Sequence, residues 1–239
     1  LAGAARLVER GVDVILLDDG FQHRRLARDL DLVLVDATRP WGLPAAPDGG
    51  GYVRACFPRG FLREPPTALA RADALVLTRV DQVEPATRAA LAAELAGFAP
   101  GRPILAGVHR PRALRAPDGT ALAPEALHGR EVELVSALGN PEGFERSVAA
   151  LGARVLVHRK FRDHHRYTAA DLAGLGAGGR WLVTSEKDAV KLVGLAPVHV
   201  LAARFELVEG EAVLTALLHS LPRSRARRER AALHEGLHG

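Results

Sequence analysis

Short apolar runs recur along this chain, separated by stretches whose apolar positions repeat with helical spacing. The runs are Val14–Leu17, Leu32–Val35, Ala74–Leu77, Ile104–Val108, Val132–Val135, Val155–Val157, Trp181–Val183 and Val198–Leu201. Each is mostly continuous rather than alternating, which predicts strands buried on both faces. Helices are expected over Pro85–Gly97, Pro141–Leu151, Ala169–Leu175 and Glu186–Val193. Strands that alternate with helices imply an α/β fold built on a mainly parallel sheet.

Two stretches break the rhythm. Residues Leu43–Gly60 are rich in glycine and proline and read as a long surface loop. Arg110–Glu131, with Pro111, Pro117, Asp118-Gly119 and Pro124, reads as a turn-bearing linker. The expected division is therefore a first α/β lobe over residues 1–108, a linker over 109–130, a second and smaller α/β lobe over 131–221, and a tail over 222–239.

Composition narrows the classes. Hydrophobic residues make up 48% of the 239, ordinary for a globular chain able to bury a core without staples. The single cysteine, Cys56, excludes an internal disulfide and a cysteine-based zinc site and fits a reducing cytosol. The formal charge of +4 is concentrated in Pro222–Arg230, where Arg223, Arg225, Arg227, Arg228 and Arg230 face Glu229 alone. Such a tail is usually a solvated, disordered end, though it can also seek phosphates on an anionic surface. It accounts for most of the high isoelectric point, and no recognition motif accompanies it, so no nucleic-acid partner is expected. No apolar run approaches the about 20 residues of a membrane span, and no signal peptide is visible. The chain opens on Leu1 and contains no methionine. It is expected to be a fragment or a trimmed product.

Chemistry concentrates in four places. In the first, the apolar run Val14–Leu17 leads into Asp18-Asp19-Gly20. Carboxylates beyond the end of a strand can hold a magnesium ion on nucleotide phosphates, although Asp and Gly are also common at ordinary strand-to-loop transitions. Gln22, His23, Arg24, Arg25 and Arg28 follow, a set of donors suited to a polyanion or, more plainly, a wet face paired with Asp29 or Asp31. In the second, Arg63 can clamp a phosphate and Glu64 can add a carboxylate to the metal site; a surface ion pair is the alternative. In the third, His164 and His165 follow Asp163, which can orient a proton-exchanging histidine. Adjacent histidines seldom face one metal ion, and Thr168 with Asp171 looks like the cap of the next helix. In the fourth, Ser185 caps a helix with Asp188 at its third position, while Lys187 and Lys191 share a face on which an anion would be favoured. Thr78-Arg79-Val80-Asp81 is too far from the base-reading Asn-Lys-x-Asp of GTP-binding proteins to carry an assignment.

Taken in order, DDGFQHRRLARDLDLVLVDATRP, FPRGFLREP, ALGNPEGFERSVAALG, DHHRYTAADL and TSEKDAVKL, spread over residues 18–192, resemble the tetraacyldisaccharide 4'-kinases of Gram-negative bacteria. The first stretch is the most specific. The resemblance implies a P-loop NTPase-like core, lacking its N-terminal P-loop part, plus a smaller C-terminal lobe. It further implies transfer of the γ-phosphate of MgATP to the 4'-hydroxyl of a lipid A disaccharide 1-phosphate, by a peripheral enzyme on the anionic, cytoplasmic face of the inner membrane. By resemblance, Asp18 and Asp19 are the Walker-B pair around Mg2+, with Glu64 as a further carboxylate. Gln22, His23, Arg63 and Lys187 are then substrate- or phosphate-binding, and His164, rather than His165, activates the attacking hydroxyl with an upstream aspartate. Closure of the two lobes would bring His164 toward Asp18 and Asp19. Asn140 and the Glu186–Lys191 motif are family features without an assigned role.

The departures are that no G-x-x-x-x-G-K-[ST] occurs, Phe61 stands where proline is usual, and Ser185 appears beside the commoner Thr-Glu-Lys-Asp. The isolated chain is therefore expected to be catalytically inactive. Two other readings remain: a nucleotide-binding or regulatory module of another P-loop family, and a nonenzymatic interaction protein.

Overall fold

Eight strands and five α-helices follow one another in a computed structural model that describes residues 2–42 and 54–222. The basic tail beyond residue 222 and positions 43–53 of the Gly/Pro-rich loop lie outside the described residues. The strands are β1 (Leu32–Asp36), β2 (Ala74–Thr78), β3 (Ile104–Arg115), β4 (Ala121–Leu122), β5 (Glu131–Ser136), β6 (Arg154–Lys160), β7 (Trp181–Ser185) and β8 (His199–Glu209). The helices are α1 (Ala2–Glu9), α2 (Pro85–Phe98), α3 (Pro141–Ala150), α4 (Glu186–Leu192) and α5 (Glu211–His219). Seven of the eight apolar runs thus become strands, and three of the four expected helices form.

The chain divides into two compact units, one of residues 1–78, 85–106 and 207–239, the other of residues 79–84 and 107–206. Strands β3 and β8 each place residues in both, so the chain leaves the first unit along β3 and returns along β8. In the first unit β1, β2 and β3 run parallel. Every residue of β2 is buried, because its apolar run is covered on both faces and paired on both edges. One face packs Ala74, Val76 and Leu105 against Leu207, Leu214 and Leu217, so α5 covers the first unit although it lies last in the described chain.

In the second unit the order is β8-β7-β5-β6, with β5 parallel to both β6 and β7 and β7 parallel to β8. From β5 the chain steps through α3 to β6 on one side, then returns to β7 on the other. That reversal makes a topological switch point whose crevice opens at the carboxyl ends of β5 and β7. Strand β5 is buried on both faces. Val132 and Leu134 pack with Leu114, Leu127, Val148, Val183 and Leu201, and Val135 packs with Tyr167, Leu172, Leu182 and Leu192. Buried Glu133 is satisfied by the Gly176 amide at 2.7 Å and by Arg180 at 3.0 Å. His158 is held between Ser136 Oγ, 2.8 Å from Nε2, and Glu145 Oε2, 2.9 Å from Nδ1. Asn140 caps α3 by accepting the Gly143 amide at 2.8 Å, with Pro141 in the first turn where no amide hydrogen is needed.

Four expectations change. Val14–Leu17 is not a strand; it is irregular and exposed, Leu16 at 91%, with no ladder partner among the described residues. A run buried on both faces needs neighbours on both edges, and only that context turns apolar residues into a strand. Ala169–Leu175 shortens to a 3-10 turn at Ala170–Leu172, where glycines at 174 and 176 take positive φ and end it. The stretch read as a linker, 109–130, is the outer half of β3, its antiparallel partner β4 and a 3-10 turn at Pro124–Leu127, with Leu114 and Leu127 fully buried. Residues from Leu207 onward fall with the first unit rather than the second.

Leu134→Ala should lower stability by about 2–5 kcal/mol, measured as a shift in the denaturant midpoint, because the side chain is fully enclosed. Burial outweighs Glu145 and holds the pKa of His158 below the ordinary 6.5. The folded chain therefore refuses a proton that the unfolded chain accepts. Stability should be complete above about pH 6.5 and fall as pH drops below it, and His158→Gln should flatten that part of the melting-temperature profile.

Candidate active site

In the first unit, Asp18 and Asp19 sit on the turn that follows the irregular apolar segment, not at the end of a strand. Gly20 allows the turn: a Cβ there would run into the Leu17 side chain. Asp19 has φ +53°, a left-handed conformation that aspartate tolerates better than most residues but that costs energy. Its carboxylate accepts from Arg63 Nη1 at both oxygens, 2.8 and 2.7 Å, across 44 residues of sequence. The same Nη1 lies 3.5 Å from Gln22 Oε1. Asp18 is exposed, and no described side chain is paired with its carboxylate.

Asp19, Gln22, Arg63 and Glu64 line one cavity of about 310 Å3 whose remaining wall is apolar, with Phe21, Leu34, Trp41, Phe61 and Leu69. Glu64 does not share a carboxylate cluster with the aspartates. It is bound to Arg71 at 2.6 Å, and among the described residues no group of three or more His, Cys, Asp or Glu converges as a metal site. The expected metal set of Asp18, Asp19 and Glu64 is thus not assembled as such, because arginines neutralise two of its members. Arg71 also lies over the Phe21 ring at 4.5 Å. Nothing in the sequence marks Arg71, since its role depends on contacts seven and fifty residues away. His23 is exposed, and its carbonyl accepts from Arg28 at 2.8 Å. Arg28 is spent locally on Asp31 at 2.6 Å, as the plainer of its two readings had it.

In the second unit, the loop after β6 and the start of α4 both lie beyond carboxyl ends of parallel strands, and this brings Asp163 and Lys187 to 2.5 Å. Lys187 holds the Asp163 carboxyl below the usual carboxylate range, helped by the His164 amide, which donates to it at 2.9 Å. Lys187 therefore binds a protein carboxylate rather than standing as an unpaired cation. His164 has φ +64°, is 83% exposed at its side chain, and keeps Nε2 3.7 Å from Asp163. His165 is fixed instead: it stacks on Phe161 at 4.4 Å and meets Asp171 at 3.1 Å. Thr168 and Asp171 form the expected reciprocal cap, with the Thr168 amide donating to Asp171 at 2.8 Å. The sequence motif gave no sign that Asp171 also engages His165. Ser185 and Asp188 cap α4 as expected, and the Asp188 carboxylate is fully buried.

The fold is α/β with a mostly parallel sheet, and its match to a solved kinase structure gives it the P-loop kinase class. The chain matches the solved structure of LpxK from Aquifex aeolicus in complex with ATP, with a TM-score of 0.60 and 30% identity over 91% of this chain and 60% of that one. The family model described as tetraacyldisaccharide-1-P 4'-kinase (LpxK) matches residues 1–222. Similar curated proteins include the tetraacyldisaccharide 4'-kinase of Anaeromyxobacter dehalogenans strain 2CP-C, 44% identical over 87% of this chain and 55% of the relative. Another is that of Syntrophus aciditrophicus, 38% identical over 84% of this chain and 54% of the relative. The chain belongs to the tetraacyldisaccharide-1-P 4'-kinase family. It spans little more than half the length of these curated relatives.

Lys187→Met should let the Asp163 titration midpoint rise toward the ordinary aspartate value of 3.8, read from its carboxyl chemical shift. The ion pair stabilises above that value and is lost as pH falls through the depressed midpoint, so the variant should differ least from wild type in strong acid.

Proposed function

We propose that this chain carries acidic, basic and histidine groups of a lipid A 4'-kinase, which moves the γ-phosphate of MgATP to the 4'-hydroxyl of a disaccharide 1-phosphate bearing acyl chains. One observation supports it above the others. Asp19, Gln22 and Arg63, drawn together by the family resemblance, line one wall of a single cavity although Arg63 lies 44 residues from Asp19 and 41 from Gln22. Carboxylate oxygens are the donors that Mg2+ accepts, and Asp18 offers one that no described side chain engages. Mg2+ supplies charge neutralisation at the transferring phosphates. Asp18 would hold it, and Asp19 would join once Arg63, which now faces Asp19, turned its guanidinium toward the same phosphates.

His164 is the proton acceptor. In the reaction the 4'-oxygen forms a bond to the γ-phosphorus, the bond from that phosphorus to the bridging oxygen of ADP breaks, and the hydroxyl proton passes to the imidazole. Exposure of His164, against the stacked and paired state of His165, favours it for this role. Asp163, kept anionic by Lys187, orders the loop that carries it. The acceptor is met at the cytoplasmic face of the inner membrane, to which the protein attaches peripherally. Among the described residues no helix is long and apolar enough to cross a membrane.

The test is ATP-dependent phosphorylation of a tetraacyldisaccharide 1-phosphate in detergent by the full-length protein. Asp18→Asn and His164→Ala should each lower kcat by about 100-fold or more. Nucleotide binding without transfer to this acceptor would favour a regulatory nucleotide-binding module instead.

A further inference from the structure

From Arg54 to Arg63 the chain reads Arg-Ala-Cys-Phe-Pro-Arg-Gly-Phe-Leu-Arg, with three arginines and no acid. The backbone closes this segment on itself. The Phe57 amide donates to the Leu62 carbonyl at 3.1 Å, and the Leu62 amide to the Ala55 carbonyl at 3.2 Å. The Arg59 and Gly60 amides both donate to the Cys56 carbonyl, at 3.0 and 3.1 Å. Gly60 is buried at the centre, where a Cβ would collide with the Ala55 carbonyl, so the loop owes its shape to its own backbone. A loop built to fold inward would bury its rings. Here Phe57 is 84% exposed and Phe61 67%.

The cations differ in the same way. Arg54 is paired with Glu94 at 2.7 Å and Arg63 with Asp19, whereas Arg59, between the two phenylalanines, is exposed and has no acid partner among the described residues. Two rings flanking an uncompensated guanidinium make too small a surface for a stable protein interface, which needs on the order of 1,000 Å2 or more in total. A lipid surface needs no such area. It accepts apolar rings below the head groups and cations among the phosphates.

We propose that Phe57, Arg59 and Phe61 form a docking surface for an anionic lipid bilayer, the rings entering the interfacial layer and Arg59 remaining with the head-group phosphates. The inference rests on the reading that the acceptor is a membrane lipid, and names the surface by which the protein reaches it. Phe61 also lines the cavity, whereas Phe57 and Arg59 do not, so docking through these two leaves the wall of Asp19, Gln22 and Arg63 intact.

The experiment uses the full-length protein with vesicles of phosphatidylglycerol and phosphatidylcholine, and with phosphatidylcholine alone. Tryptophan introduced as Phe57→Trp should shift its emission to the blue on the anionic vesicles and be quenched by brominated acyl chains, relative to wild type with its own Trp41 and Trp181. Phe57→Ser should weaken vesicle sedimentation by about tenfold. Arg59→Glu should weaken it by at least about fivefold, on anionic vesicles only. An unshifted, unquenched Phe57→Trp variant on vesicles that do sediment the protein would overturn the proposal, as would wild-type protein that ignores anionic vesicles. Phosphorylation in detergent reports separately. Transfer without insertion sinks this inference alone, and insertion without transfer sinks the kinase reading alone.

Discussion

The carboxylate of Asp188 is fully buried, and the second unit is organised around satisfying it. It accepts the Ala137 amide at 2.9 Å, the Ser185 hydroxyl at 3.0 Å and Lys191 at 3.2 Å. A buried charge without partners is expensive, so these donors are fixed wherever Asp188 is fixed. The first two come from the carboxyl ends of β5 and β7, on the two sides of the topological switch point, and Lys191 comes from α4 itself. The loop that leads to Asn140 and α3 and the turn that begins α4 are thereby held in one register. Tyr167 lies close by, and burial together with Asp188 pushes its hydroxyl pKa up. Lys187 then projects from a fixed helix start and reaches Asp163 in the loop after β6.

The first unit works with exposed charge instead. The Arg63–Asp19 pair leaves both side chains about two-thirds in water, so it contributes on the order of 1 kcal/mol or less to stability. Its consequence is geometric. It draws the Asp18-Asp19-Gly20 turn and the loop ending at Pro65 to one cavity wall, where Gln22 also lies. Weak pairs at a solvent-facing cavity can exchange partners at little cost. The Glu64–Arg71 pair, more enclosed, secures the base of the same loop.

Asp19 and His164 share another feature. Both are non-glycine residues at positive φ, and both belong to the set that the resemblance marks for chemistry. Aspartate and histidine enter the left-handed region more readily than most residues, so neither is an anomaly by itself. Arg79, outside that set, is the third such residue among those described, so positive φ alone does not mark a residue for chemistry.

The sequence by itself determined the alternation of strands and helices, the caps at Ser185 and Thr168, and the family, while the cap at Asn140 emerged from the structure. Each depends on neighbours a few residues apart or on ordered motifs, and local chemistry is written locally. Only the tertiary structure decided that Val14–Leu17 stays out of the sheet, that Leu114 and Leu127 make core of a proline-broken stretch, and that α5 belongs with the first unit. It also decided the fate of the charges. Glu64 goes to Arg71, Lys187 to Asp163 and His165 to Asp171, leaving His164 in water. Pairing is settled by which side chains the fold brings within a few ångströms, and no pattern along the chain encodes a distance across it.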